Sequence, residues 1–399
     1  MKIAFVLGGF PKLSETFILS QIVFLLKSGH DVDIYAISKP KENKIHDDVI
    51  RYNLLQRTYY FSISNNVLYK LLMSLFRKPK YLIHPKKLLE SCEEYCLSKK
   101  LYEKILSSKK EYDIINCHFG NIGKIAVKIK EFGKNKSKIV TTFHGYDMSS
   151  YIKKEGGNIY KPLFKEGDLF LPISKYWYKR LIELGCDKKK IKIHRMGINT
   201  KLFKFKERKI SKNEKISFLT VGRLVEKKGH EYSIRAISKI AKENSNIEYN
   251  IVGDGPLKDR LKKLTKEFGV GKYVKFLGHV NDKELLQLYN KSKFFVLPSI
   301  TAKSGDMEGV PVVLMEAQAM GLPIISTRHS GIPELVKDGV TGFLVDEKDH
   351  EELAKKIMFL INNPQLWREF GRKGREIVEK EFDIEKLNGD LINKFKSIL

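Results

Sequence analysis

The sequence predicts an α/β protein of two doubly wound domains that face each other across a cleft. Short apolar strands alternate with amphipathic helices, the alternation starts afresh after residue 214, and a polar, basic segment without periodicity, residues 200–214, separates the two series. Strict alternation of strands and helices indicates parallel sheets covered by helices on both faces. Ligands of such sheets bind at the carboxyl ends of the strands, so the cleft is the expected site.

The first domain is expected to span residues 1–199. Its βαβ units are indicated by buried strands, each followed by a helical pattern. The expected strands are Lys2–Leu7, Asp31–Ile37, Asp113–Cys117, Lys138–Thr142, Leu169–Ile173 and Ile191–Met196. Residues 60–108 interrupt this alternation with what we expect to be two long basic helices, rich in Tyr, Leu and Lys.

The second domain is expected to span residues 215–383. Its expected strands are 216–221, 249–252, 274–277, 294–297, 324–326 and 342–345, and its helices fall near 230–243, 256–268, 283–291 and 312–320. Further helices are expected from Glu351 to the end, with a break near Asp383.

The composition narrows the function. The chain has 399 residues and a formal charge of +27, so an anionic target is expected: nucleic acid, a phosphorylated ligand or an acidic membrane surface. Residues 301–350 are an acidic exception, with 4 basic and 8 acidic side chains. The four cysteines have no C-x-x-C spacing, and the longest apolar run, Phe17–Leu26, is too short to span a bilayer. We therefore expect a reduced, cytoplasmic protein.

Two carboxylates flank a predicted helix start in this acidic segment. Glu308 and Glu316 enclose Gly309-Val310-Pro311, and the helix is expected to begin near Val310. Such a start leaves N–H groups that bind phosphate, and the two carboxylates suit sugar hydroxyls. A nucleotide sugar carries both kinds of group. The competing interpretation is that the carboxylates only cap and solvate a helix. The predicted donor contacts here are Gly309, Val310, Val312, Val313 and Glu316.

A basic loop follows the first strand of the second domain. In Gly222–Gly229, Arg223 can grip a phosphate with two parallel hydrogen bonds, and Lys228 adds a point charge. A solvated basic loop is the alternative. Gly8 and Gly9 could also let backbone N–H groups approach a phosphate, although the pattern is not a dinucleotide fingerprint and plain tight turns compete with it.

Two histidines stand at neighbouring strand ends. His118 follows one strand and His144 the next, and either could bond a sugar hydroxyl or transfer a proton. A lone histidine is more often structural, whereas two at adjacent strand ends favour a site. Asp31 and Asp33 resemble a metal motif but lie within a strand, so we interpret them as solvent-facing charges and expect no metal site.

Together these residues resemble glycosyltransferase family 4, whose members are retaining enzymes with the two-Rossmann-domain GT-B architecture. The resemblance is carried by Glu308 and Glu316, the G-R-L-V-E-K-K-G run, the N-terminal glycine pair and the T-F-H-G-Y-D segment. The segments F-P-K-L-S-E-T-F-I and G-D-M-E-G further resemble the branch that builds exopolysaccharides of the colanic acid and amylovoran type.

The resemblance implies a role for each matching residue. Arg223, Lys228 and Gly9 would hold the donor diphosphate, Glu308 would contact the transferred sugar, Glu316 the ribose, and His144 the sugar. It implies no metal or other cofactor; the donor substrate is expected to be a nucleotide-diphosphate sugar, UDP-linked. The N-domain would bind the acceptor, a glycan or lipid-linked saccharide, and the final helix, residues 384–399, would cross back onto that domain. The expected acceptor contacts are Glu15, His118 and Asp147.

Three alternatives stay open at this stage. The basic stretch 51–110 would face either an anionic membrane at the inner face of the cell membrane or solvent, as helices packed on the first domain. A non-transferring relative such as a sugar-nucleotide epimerase would share the architecture. A nucleic-acid-binding protein would explain the charge, but no nucleic-acid-binding module is recognised in the sequence, so no nucleic acid is expected as a partner.

Overall fold

The N-domain contains a six-stranded parallel sheet in the order β3-β2-β1-β4-β5-β6. The computed structural model describes residues 1–40, 45–63, 85–133, 135–209 and 214–399. The strands are β1 (Lys2–Gly9), β2 (Asp31–Ser38), β3 (Thr58–Tyr60), β4 (Ile114–His118), β5 (Lys138–Phe143) and β6 (Leu169–Pro172). The helices are α1 (Thr16–Lys27), α2 (Asp47–Arg51), α3 (Pro85–Ser107), α4 (Gly120–Val127), α5 (Ser150–Glu155), α6 (Lys161–Glu166) and α7 (Lys175–Glu183).

The C-domain repeats this design, with the strand order β12-β11-β10-β7-β8-β9. Its strands are β7 (Ile216–Val221), β8 (Ile247–Val252), β9 (Val274–Gly278), β10 (Phe294–Leu297), β11 (Ile324–Thr327) and β12 (Gly342–Val345). Its helices are α8 (His230–Glu243), α9 (Lys258–Glu267), α10 (Asp282–Lys291), α11 (Val312–Ala319), α12 (Ile332–Leu335), α13 (His350–Asn362) and α14 (Gln365–Glu381). The predicted pair of doubly wound domains is confirmed.

One expected strand of the N-domain is wrong, and one observed strand was not expected. Ile191–Met196 is not a strand: Ile191 makes a single bridge to Phe170, at the edge of the sheet. The short strand β3 was not predicted, because three residues carry too little pattern. Of the two long helices expected in 60–108, the structure describes α3, and residues 64–84 lie outside the described ranges.

The last helix, α15 (Ile384–Lys396), crosses back to the N-domain as the resemblance implies. Leu391 and Phe395 are buried in the same apolar cluster as Ile18 and Ile22 of α1. Because both helices contribute to one core, the C-terminal segment ties the two domains together.

The segment between the domains is held by more hydrogen bonds than its polar, basic composition suggests. Arg208 is buried, and its guanidinium donates to the carbonyls of Asn290 and Met320. Arg375 donates to the carbonyls of Thr200 and Phe203. The described part of the predicted linker, 200–209 and 214, therefore includes residues held against the C-domain, and residues 210–213 lie outside the described ranges.

The acidic pair in β2 is also placed differently from the expectation. Asp33 is 2% exposed, and its Oδ2 accepts hydrogen bonds from Lys110 Nζ and the Tyr112 hydroxyl, both at 2.6 Å. Asp31 pairs with Arg57 at 2.9 Å. Through Lys110 and Tyr112, Asp33 connects strand β2 to the segment that follows α3. Asp33 therefore does not face solvent.

The described residues contain neither a membrane-spanning helix nor a cluster of metal-ligating side chains. No described helix combines the length and the apolar composition that a crossing of the bilayer requires. No cluster of three or more His, Cys, Asp or Glu side chains suited to a metal ion is found among the residues with described positions.

Candidate active site

Glu308 lies in a loop that a buried histidine holds in place. The Glu308 backbone N–H donates to Nε2 of His329 at 3.0 Å, and His329 Nδ1 lies 2.6 Å from the Glu347 carboxylate. Glu347 also accepts the Thr301 N–H at 2.7 Å. Because His329 Nε2 accepts, its proton is on Nδ1 and points to Glu347. This supporting pair was missed from the sequence, where a lone histidine and a distant glutamate show no pattern.

The Glu308 side chain is 8% exposed and surrounded by lysines. Its Oε1 lies 3.2 Å from Lys228 Nζ and 3.8 Å from Lys227 Nζ, and Lys227 also pairs with Asp306 at 3.0 Å. Burial raises the pKa of Glu308, but the two lysine charges outweigh it, and the pKa lies below its ordinary value. Glu308 is therefore ionised at neutral pH and acts only as a hydrogen-bond acceptor.

The loop after β7 carries Arg223, the arginine predicted to hold the diphosphate. Arg223 is exposed, and its guanidinium has no hydrogen bond or ion pair within the described part of the chain. The backbone beneath it is held, because the Leu224 N–H donates to the Asp254 carbonyl at 2.9 Å. Gly229 has φ +68°, and a Cβ there would lie 1.8 Å from the Pro298 carbonyl oxygen, so only glycine fits.

Helix α11 begins at Val312, with Pro311 as its N-cap and no capping side chain. This start agrees with the expected range 312–320 and lies two residues after the start near Val310 that the Gly-Val-Pro turn suggested. The N–H groups of Val312 and Val313 thus lie in an uncapped first turn, which is suited to phosphate. Glu316 lies one turn further on, where the Tyr289 hydroxyl donates to its Oε2 at 2.8 Å. Burial raises the pKa of Glu316, although the Tyr289 bond acts in the opposite direction.

The N-domain meets this cluster through the loop that carries His144. A Cβ on Gly145 would lie 2.8 Å from the Met307 carbonyl oxygen and 3.1 Å from the Gly309 nitrogen. Ser149 Oγ accepts the Met307 N–H at 3.3 Å. The loops that carry His144 and Glu308 are therefore in direct contact across the cleft.

Burial makes His144 a poor acid or base. The side chain is 7% exposed, and burial lowers its pKa to about 3, with a smaller contribution from His194. A neutral imidazole can donate one hydrogen bond and accept another, but it is no general acid at neutral pH, because that role needs the protonated imidazolium. Of the two roles expected for His144, the structure thus favours hydrogen bonding over proton transfer.

Asp147 does not have the acceptor-binding geometry expected of it. It is completely buried, its Oδ1 accepts the His144 N–H and its Oδ2 accepts the Gly120 N–H, both at 2.9 Å. Burial raises its pKa to about 7, against the backbone bonds, which lower it. Asp147 joins the ends of two strands and holds the His144 loop; no face of it is open to a substrate.

The remaining predicted residues lie together on the N-domain side. Gly8, Glu15 and His118 line a cavity of about 210 Å³ that also includes Lys12 and Tyr146. The Glu15 carboxylate pairs with Lys12 at 2.9 Å. The atoms nearest a Cβ on Gly9 belong to Lys12, Ser38 and Pro40, all in the N-domain. The structure thus groups Glu15 with the glycine pair, while Lys228 and Glu308 form a separate group on the C-domain.

Comparisons with known proteins agree with this two-part design. The model of Glycosyltransferase Family 4 matches residues 14–202, and the model of Glycosyl transferases group 1 matches residues 202–377. The chain is 34% identical to the protein named colanic acid biosynthesis glycosyltransferase WcaL of Escherichia coli K12, over 100% of both chains. The chain belongs to glycosyltransferase family 4.

Two further likenesses support the assignment. The chain is 35% identical to the amylovoran biosynthesis glycosyltransferase AmsK of Erwinia amylovora over 90% of each chain. The solved structure of Anabaena HepE in complex with UDP superimposes with a TM-score of 0.75 at 19% identity, over 100% of both chains. The second likeness establishes the fold alone, and it is the GT-B fold of this family. The chain is thus a glycosyltransferase with two Rossmann-like domains.

Sequence reasoning missed several residues that contact or support the predicted site residues. Lys227, Tyr289, His329 and Glu347 all contact Glu308 or Glu316, or hold their loops. One further residue, Gln21, did give a signal: it is a polar side chain in the mostly apolar helix α1, and it is 2% exposed. A polar residue on the buried face of a helix needs partners, and those of Gln21 are His118 and His194.

Proposed function

We propose that this protein is a retaining glycosyltransferase that moves a hexose from a nucleotide-diphosphate sugar to a glycan or lipid-linked saccharide in cell-surface polysaccharide synthesis. The observation that carries the proposal is the ionised Glu308, paired with Lys228, opposite the His144 loop and beside the uncapped start of α11. The names of WcaL and AmsK, which assign both relatives to exopolysaccharide synthesis, support the pathway class.

In this proposal the C-domain holds the donor. The diphosphate lies between Arg223, Lys228 and the first-turn N–H groups of α11, whose positive charge stabilises the leaving group as the sugar–phosphate bond breaks. These groups supply the charge for which a metal ion would otherwise be needed. The UDP complex of HepE supports a uridine nucleotide as the first donor to test.

The sugar would lie between Glu308 and His144. Glu308 accepts hydrogen bonds from sugar hydroxyls, and its negative charge favours the positive charge that develops on the ring. The acceptor enters from the N-domain cavity beside Glu15 and attacks on the face that the diphosphate leaves. The leaving phosphate takes the proton of the acceptor, so no enzyme nucleophile is required. Closure of the domains at Gly145 brings the two substrates together.

Arg223→Ala tests the donor site, with Arg260→Ala as the matched control. The Arg223 guanidinium has no hydrogen-bond or ion-pair partner among the described residues, so the free energy of unfolding should stay within about 0.5 kcal/mol of the unchanged protein. Sugar transfer should fall by about 10²–10³-fold. Arg260, on α9, is 67% exposed, pairs with Glu231 and is not among the predicted site residues, so Arg260→Ala should leave transfer intact.

A thermal-shift panel of UDP, GDP and their sugars identifies the donor. A nucleotide present at a hundredfold excess over its dissociation constant stabilises the folded state by about 2.7 kcal/mol. Arg223→Ala should lose that shift and Arg260→Ala should keep it. Retention is read from the anomeric configuration of the product by NMR, and metal independence from the rate with a chelator. An inverted product, chelator sensitivity or full activity of Arg223→Ala would each refute the corresponding part.

A further inference from the structure

A buried chain of four polar side chains runs from the cleft into the N-domain. His144 Nε2 lies 3.1 Å from His118 Nδ1, His118 Nε2 lies 3.0 Å from Gln21 Oε1, and Gln21 Nε2 lies 3.3 Å from His194 Nε2. His118 is completely buried, and the other three are at most 7% exposed. The chain links β4, the loop after β5, helix α1 and the segment after β6.

All three imidazoles in the chain are neutral. Burial lowers the pKa of His144 and of His194 to about 3, and it lowers the pKa of His118 well below the ordinary value. A neutral imidazole has one nitrogen that donates and one that accepts. In a chain of such rings, the choice made at one ring therefore determines the choice at the next.

The amide of Gln21 sets the direction. It is the one member whose donor and acceptor are different atoms that cannot exchange a proton. Its oxygen has the short contact, 3.0 Å to His118, and its nitrogen the longer one, 3.3 Å to His194. This order fits N–H···O bonds, which centre near 2.9–3.0 Å. His118 must then carry its proton on Nε2, so that His118 Nδ1 accepts from His144 Nε2–H.

We propose that Gln21 and His118 are positioning residues that keep the ring proton of His144 on Nε2, leaving Nδ1 as a bare acceptor for a hydroxyl of the bound substrate. Nδ1 of His144 has no hydrogen-bond partner in the described ranges of the chain. Aromatic rings hold the imidazole planes: Phe17 lies 5.0 Å and Phe119 4.5 Å from the His144 ring, and Phe5 stacks on His118 at 6.0 Å.

The proposed orientation of His144 has a consequence for substrate selection, which rests, like the hydroxyl contact itself, on the proposed function. A bare nitrogen accepts a hydrogen bond from a hydroxyl, whereas an ionised carboxylate has no proton to donate and would place an oxygen lone pair against it. His144 would therefore favour a neutral sugar over a uronic acid at the position it contacts.

The deciding measurement is the ¹⁵N spectrum of the histidine rings in the unchanged, ligand-free protein at neutral pH. The ring nitrogens that bear a proton and those that do not are resolved by their shifts and by long-range couplings. We expect the proton on Nε2 in His118 and His144 and on Nδ1 in His194, a buried nitrogen that has no hydrogen-bond partner among the described residues. A proton on Nδ1 of His144, or a charged His144 ring, would overturn the proposal. Because no sugar is present, this result is independent of the proposed function.

Two variants separate positioning from packing. Gln21→Met keeps the length of the side chain but removes both polar atoms, so His118 and His144 should each become a mixture of the two tautomers. Asn388→Leu is the matched control. Asn388 lies on α15, is 3% exposed and contacts the Ser20 carbonyl of α1 at 3.5 Å, and it is not one of the four hydrogen-bonded side chains. It should leave all three tautomers unchanged.

The His118 variants test the last link. His118→Asn retains an acceptor oxygen near the place of Nδ1 and should keep the proton of His144 on Nε2, whereas His118→Phe should release it. An unaltered His144 tautomer in both Gln21→Met and His118→Phe would show that the two residues only fill space. If a variant does not fold, the spectrum of the unchanged protein still decides the direction of the chain.

Discussion

Buried polar groups are stabilised in opposite ways on the two sides of the cleft. On the C-domain, Glu308 is ionised and compensated by Lys227 and Lys228 within 4 Å. On the N-domain, His118 and His144 are neutral and bonded to each other. The pKa of each group is lowered, but for Glu308 the lowering keeps a charge, and for the histidines it removes one.

This difference suits the two ends of a nucleotide sugar. A diphosphate needs fixed positive charge near its leaving oxygen, which side chains such as Lys228 and Arg223 can supply. A sugar needs directed hydrogen bonds without charge, which a neutral and oriented imidazole can supply. The contact at Gly145 joins the two sides, so the comparison can be tested by altering either side or the contact.

The largest effect is expected from Glu308→Gln, on the charged side. The substitution keeps the shape but leaves Lys227 and Lys228 without their shared anion, and it removes the acceptor charge from the sugar position. Sugar transfer should fall by about 10²-fold or more, measured as product formed at saturating donor. Asp306→Asn is the control, because Asp306 pairs with Lys227 but not with Lys228. Equal losses in the two variants would contradict a specific role for Glu308.

The second-largest effect is expected on the N-domain side of the cleft, in the way the free energy of unfolding depends on pH. A buried histidine that stays neutral in the folded state, with a pKa of about 3, binds a proton on unfolding below its ordinary value of 6.5. The unfolded state then binds more protons, so stability is lost as the pH falls from 6.5 towards 3. Each such histidine contributes about 1.4 kcal/mol per pH unit in this window.

His194→Gln tests this slope by thermal or urea unfolding at pH 7 and pH 5. The variant should lose about 2 kcal/mol less than the unchanged protein between these two values, since about 1.5 pH units of the window are covered. Asn388→Leu alters the contact between α15 and α1, so it should change the free energy of unfolding but not the dependence of that free energy on pH. An unchanged slope in His194→Gln would mean that His194 is not kept neutral by burial.

The smallest effect is expected at the contact between the sides. Gly145→Ala would place a Cβ 2.8 Å from the Met307 carbonyl, so the two loops must separate. We expect transfer to fall by about tenfold, because small displacements of reacting groups are costly. Gly389→Ala, on α15, is the control: no neighbouring atom among the described residues lies within 4 Å of the new Cβ, so this variant should retain full activity. Unaltered transfer in Gly145→Ala would mean that this closed contact is not used.

Much of the fold could be predicted because parallel strands are continuous apolar runs. Runs such as Lys2–Leu7 and Ile216–Val221 can be recognised as strands from the sequence, and both strands are confirmed. Ile191–Met196 was also expected to be a strand, but only Ile191 bridges to the sheet, since strand propensity does not reveal whether a neighbouring strand is present. Asp33 shows the same limit: its partners Lys110 and Tyr112 are far away in the chain.

The sequence by itself determined the kind of chemistry this glycosyltransferase carries. Glu308, Glu316, Arg223 and Lys228 are recognisable because a glycine turn or a helix start lies beside each of them, and such local signals need no fold to be read. Whether Glu308 is charged, and whether His144 and Asp147 can reach a substrate, was decided only by the tertiary structure. Burial and partners distant in the chain set the pKa of a group and the direction of its hydrogen bonds, and neither is written in its neighbouring residues.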